Sequence, residues 1–153
     1  MTGRPRSWAA RACATGLAAL TVAGCGSSSK SPAQLREQAS AICARTNGQI
    51  GRVPTPANPS GALAFLNSGI ASLKPEVHQL KQLSASGDAA DVWNAAIRSL
   101  SGQLSALQSA ASQISGGADP VATYKTLQLT LTPLETQANN AWQALEIPAC
   151  QNQ

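Results

Sequence analysis

From Ser31 onward, long stretches whose apolar residues recur every three or four positions alternate with short clusters of Pro, Gly, Ser and Asn. That spacing sets apolar side chains on one face of an α-helix, and the clusters break helices. The first stretch runs from about Ser31 to Gly51, with Leu35, Ala39, Ile42, Cys43, Thr46 and Ile50 on one face. Ser31 suits an N-cap and Pro32 the first helical position. The segment Val53-Pro54-Thr55-Pro56-Ala57-Asn58-Pro59 does not sustain a helix. The second stretch, about Ser60 to Ser84, carries Leu63, Leu66, Ile70, Leu73, Val77 and Leu80 at heptad spacing. The third, about Ala89 to Ser115, carries Trp93, Ile97, Leu100, Leu104, Leu107, Ala111 and Ile114, with Asp88 as its expected N-cap. Gly116-Gly117 stops it. Asp119-Pro120 opens the fourth, which reaches about Glu146 through Tyr124, Leu127, Leu131, Leu134, Ala138, Trp142 and Leu145.

No segment sustains the alternation of a strand, so the expected class is all-α. Short turns between the second, third and fourth helices make them antiparallel neighbours, and an up-down four-helix bundle closes the core. Three helices with a loose first segment is the alternative. Pro75 and Pro133 fall inside helices and are expected to kink them.

The first thirty residues have a different character. Arg4, Arg6 and Arg11 precede a short apolar run, about Ala12 to Ala23, that ends in small residues and Cys25. This is the three-part layout of a secretory signal, and the run is shorter than the roughly 20 apolar residues that span a bilayer. Leu20-Thr21-Val22-Ala23-Gly24-Cys25 resembles the lipobox of bacterial lipoproteins. The resemblance implies cleavage before Cys25, diacylglycerol on its sulfur, and a protein anchored on the extracytoplasmic face of the cell membrane. An ordinary secretory signal with a chance cysteine is the alternative. Residues 1–24 then form the signal peptide, 25–31 a Gly/Ser tether, and 32–150 the folded domain, within a mature chain of about 125 residues.

Of the four cysteines, Cys13 lies in the leader and Cys25 takes the lipid, which leaves Cys43 and Cys150 in a disulfide-permissive compartment. They are expected to pair, and two free buried thiols are the alternative. Pairing constrains the bundle. Cys43 lies about eight residues, roughly 12 Å, before the end of its helix, and Cys150 lies about 30 residues, roughly 40–45 Å, beyond the start of the fourth. In a flush bundle those ends share a pole and the sulfurs are far apart. The first helix must therefore be offset toward the far end of the fourth. The Pro-rich segment from Arg52 to Pro59 becomes a strap at about 3.1 Å per residue, with the C-terminus on the membrane side.

Charge and composition narrow the function classes. Charged residues are 12% of the chain and aromatics 3%, against about 25% charged in typical domains, so the surface is dressed in Ser, Thr, Gln and Asn. Three of the eleven basic residues precede Cys25, leaving eight against seven acids. A nucleic-acid partner is not expected, because the mature chain has no basic stripe or aromatic platform.

His78 is the only histidine and flanks the second helix's apolar seam. One histidine, scattered acids, and no P-loop, dinucleotide turn or HExxH give no catalytic constellation, so no enzyme, metal or cofactor is expected. Trp93, Tyr124 and Trp142 sit at seam positions as core or as the lining of an apolar pocket between helices. Gln79, Gln82, Ser99, Gln103, Gln128 and Gln137 offer polar faces to a partner. With its early Ile42-Cys43 and late Pro148-Ala149-Cys150, the chain resembles small helical lipoproteins of actinobacteria. The expected role is a membrane-tethered, non-enzymatic interaction module of the cell envelope. The alternative is a carrier of a small apolar ligand or lipid in the bundle core.

Overall fold

The computed structural model describes residues 30–151. The expected signal peptide, Cys13, Cys25 and the expected tether up to Ser29 lie outside them. The described residues form four helices, α1 (Pro32–Ile50), α2 (Ala62–Lys81), α3 (Ala89–Ser115) and α4 (Pro120–Ala144), with 3₁₀ turns at Pro59–Gly61 and Pro148–Cys150. There is no strand among them. The fold is an all-α four-helix bundle.

Local chemistry sets the helix ends. Ser31 and Gln34 form a reciprocal capping box, with Pro32 in the first turn. Asp119 caps α4 by accepting from the Ala122 N–H at 2.8 Å. Gly117, at φ 94°, ends α3 while the Ala118 N–H reaches back to the Gln113 carbonyl. The α2–α3 turn departs from expectation. Gly87 takes φ 61° and its carbonyl accepts from the Ala90 N–H, so Asp88 already has helical backbone angles and its side chain makes no capping bond. Asp88 therefore holds the expected N-cap position without capping through its side chain.

Pro75 and Pro133 lie inside α2 and α4, and both helices run on through them. The carbonyls that lose a donor belong to Ala71 and Leu129, both on the exposed side, where water takes the donor's place and the cost of each proline is reduced.

α2, α3 and α4 pack as sequential neighbours, and α1 packs on α2 and on the C-terminal turn. The core divides into two halves along the bundle. In one, Leu35, Ala39, Ile42 and Cys43 of α1 join Leu73, Val77 and Leu80 of α2, Trp93 and Leu100 of α3, and Ala138 and Trp142 of α4. The other holds Leu66, Ala110, Ala111 and Leu127, with Leu63, Ile114 and Tyr124 at its edge and no residue of α1. α1 thus covers only the half containing the end of α4, and the first helix is offset. In the other half the proline strap lies over the starts of α2 and α4.

Cys43 and Cys150 are disulfide-bonded, with Cα atoms 5.0 Å apart across a separation of 107 residues. Around them, Arg36 Nε donates to the Leu145 carbonyl at 3.1 Å and Asn47 Nδ2 to the Ala149 carbonyl at 2.9 Å. The chain end therefore runs beside α1 rather than leaving the bundle. Glu146 enables the reversal at φ 59°, the only non-glycine positive φ among the described residues. The Ile147 N–H then reaches the Trp142 carbonyl, and Arg36 pairs with the Glu146 carboxylate at 2.7 Å.

Candidate binding groove and disulfide clamp

The strap, α2 and α4 enclose a groove at the pole where α4 begins. Gly61 makes the enclosure tight. A β-carbon there would stand 2.8 Å from Pro56 Cβ, closer than side chains pack, so only glycine lets the strap lie so near the start of α2. Tyr124 ties the other wall, its hydroxyl donating to the Ala62 carbonyl at 3.4 Å. Burial holds the Tyr124 phenol above its ordinary value of 10.0, because the phenolate is poorly solvated there. The groove is an open trough of about 490 Å³, walled by Pro56, Pro59, Pro120 and Val121, with Lys125 and Gln128 on the rim. Its size is in the range of small-molecule sites. Val121 is 62% exposed, an unusual state for a large apolar side chain beside a cavity.

The three aromatic residues do not form one pocket. Trp93 and Trp142 meet edge to face, with ring centroids 5.5 Å apart and planes at 78°. Both are buried in the half covered by α1, and Trp142 is fully enclosed. Tyr124 stands at the edge of the other half. Tyr124 and Trp142 lie at opposite ends of α4, about 27 Å apart by helix rise, so shared seam positions do not bring them together, and a T-shaped tryptophan pair fills space rather than lining it. Trp142 Nε1 is buried without a hydrogen-bond partner among the described residues.

The expected polar faces are also partly corrected. Ser99 and Gln103 are buried, and the Ser99 hydroxyl donates to Gln137 Oε1 at 3.4 Å. Gln79 accepts from Arg45, whereas Gln82, Gln128 and Gln137 are exposed. His78 is exposed and hydrogen-bonded to Gln82 through Nε2 at 2.9 Å. A second, smaller groove between α3 and α4 is lined by Ser105, Ser109, Thr123, Thr126 and Thr130. Most of these hydroxyls donate to carbonyls one turn earlier on their own helices, which leaves few donors for a ligand.

Glu76 is the functional-type residue that periodicity missed. It is 1% exposed, beside Leu73, Val77 and Leu80 on α2. Its place three residues after Leu73 and four before Leu80 is itself core spacing, so the pattern carried the signal and only its polarity concealed it. Among the described residues no three His, Cys, Asp or Glu side chains group to hold a metal, and no helix is long and apolar enough to cross a membrane. No family model, curated protein or solved structure matches the chain.

Proposed function

We propose that the chain is an exported, non-enzymatic binding module, held on the extracytoplasmic face of the cell membrane by diacylglycerol on Cys25, that presents its far pole to the envelope. The observation that carries this reading is a lipobox-like Val22-Ala23-Gly24-Cys25 upstream of a domain closed by the Cys43–Cys150 disulfide. Leader and disulfide call for the same compartment, and a diacylglycerol supplies the two chains that stable anchoring takes.

The geometry supports a definite orientation. Lys30 lies in a small cleft with Ala85, Ser86 and Ala144, at the pole where α1 starts and α4 ends. The five residues from Cys25 to Lys30 reach at most about 18 Å, so that pole rests near the lipid. α4 has 25 residues, which puts its start and the groove about 37 Å along the bundle from that pole.

A carrier function is the second reading. It draws support from the groove at the far pole and none from the bundle core, which the Trp93–Trp142 pair fills. Growth with labelled palmitate tests the anchor. The intact chain is expected to take up label and the Cys25→Ser variant none. Equal labelling of both, or of neither, would exclude it.

A further inference from the structure

We infer that the groove at the far pole is a binding site for a free single-chain anionic amphiphile, an alkyl carboxylate whose chain lies along the proline and valine wall and whose head group sits on Lys125. The inference rests on the binding-module reading for its outward orientation, and on the groove's own chemistry for its ligand.

The wall selects an apolar body. Pro56, Pro59 and Pro120 have no backbone N–H to offer, the side chains of Ala57, Ala62 and Val121 add only hydrocarbon, and the one phenol is committed to the Ala62 carbonyl. The polar side chains are Asn58, whose Oδ1 accepts from Ser60, with Gln128 and Lys125. A sugar or a peptide backbone would lose hydrogen bonds to water there and regain few. An alkyl chain loses nothing and removes exposed apolar surface, Val121 included, from water.

The rim selects the charge. Lys125 is the only charged residue lining the groove, and no carboxylate among the described residues pairs with it. The nearest acid in sequence, Asp119, has its carboxylate turned onto the Ala122 N–H as a cap. The N-terminal end of α2, which has no side-chain cap, also faces this pole and adds slightly to its preference for an anion, whereas that of α4 is already capped by Asp119. A single cation beside an apolar trough suits one carboxylate, whereas nucleic acid or an anionic bilayer would need a patch of cations. The groove's distance from the tether pole also favours a free amphiphile over a lipid still in the membrane that anchors the chain.

The test is backbone amide NMR on the full-length, disulfide-bonded chain, titrated with dodecanoate below its micelle concentration and, in parallel, with dodecanol. Shifts are expected at Val121, Tyr124, Lys125 and the strap, with dodecanoate binding about five- to ten-fold more tightly than dodecanol. Each methylene removed from the carboxylate should weaken binding, by up to about four-fold where it is fully buried. Lys125→Glu, an exposed change that leaves the core intact, is expected to weaken dodecanoate about ten-fold or more and to spare dodecanol. Val121→Asp should weaken both. Equal affinity for the acid and the alcohol, an unchanged affinity in Lys125→Glu, shifts centred on the other half of the bundle, or no saturable shift would each overturn the inference. None of these outcomes depends on lipid at Cys25. An unlabelled Cys25 with a working groove would refute the anchor alone, and a labelled Cys25 with an inert groove would refute the ligand alone.

Discussion

Replacing Cys43 and Cys150 together with alanine should remove about 5 kcal/mol of stability. The bond closes a loop of 107 residues, and the chain-entropy relation gives about 4.8 kcal/mol for that length at room temperature. Both cysteines are buried, at 0% and 2% exposure, so the lost sulfurs add a small packing cost. Domains of this size are stable by only about 5–15 kcal/mol. The double variant is therefore left near its threshold, with a midpoint lower by roughly 15–25 °C.

The structure also says where the loss should fall. α1 is held by α2 and by the C-terminal turn, through the disulfide, the Arg36–Leu145 bond and the Asn47–Ala149 bond. Without the clamp, amide exchange should accelerate first in α1 and in residues 145–150, while α3 and the first half of α4 keep more protection. The assay is urea unfolding of the two proteins, paired with hydrogen exchange read by residue. A loss under about 1 kcal/mol, or protection lost first around Leu66, Ala110 and Leu127, would refute the offset-and-clamp reasoning.

Four further outcomes follow. Gly61→Ala should cost about 1–3 kcal/mol in urea unfolding and shift strap resonances, because its β-carbon drives into Pro56. Asp119→Ala should lower stability by about 1 kcal/mol and Asp88→Ala by less than about 0.5, since only Asp119 caps its helix. Glu146→Gly should be neutral or stabilising in thermal melts, because glycine relieves a left-handed residue and loses only an exposed ion pair with Arg36. Tyr124 should ionise above 10.0 in a tyrosinate absorbance titration. Its folded value exceeds its unfolded one, so its effect is constant below the unfolded value and stability falls as pH rises above it. Tyr124→Phe should remove that alkaline fall.

Much of the architecture was legible in the residues, and each success has a local cause. The α1 face of Leu35, Ala39, Ile42, Cys43 and Thr46 is the buried face because α1 packs on one side only. The offset of α1 followed from helix rise and two cysteines alone, and the split of the core into two halves bears it out. α3 shows where single-seam reasoning fails. It packs against both α2 and α4, so its buried arc widens to include Ala96, Ser99 and Gln103 beyond the apolar seam. Gly102 lies so close to α4 that a β-carbon would meet Leu134 Cδ2 at 3.1 Å, a proximity no heptad reveals. The groove was hidden for a different reason. It depends on how a non-periodic strap folds back over Gly61, and proline-rich sequence specifies extension but not where the extended segment lies. Asp88 holds the N-cap position without a side-chain bond because a capping residue is normally extended, and Asp88 has helical backbone angles.

The intact mass of the protein extracted from its own host's membranes tests the central claim most directly. The account predicts a chain starting at Cys25, heavier by one diacylglycerol and lighter by two protons for the Cys43–Cys150 bond. A mass that retains the leader, or one that lacks the lipid, would contradict it.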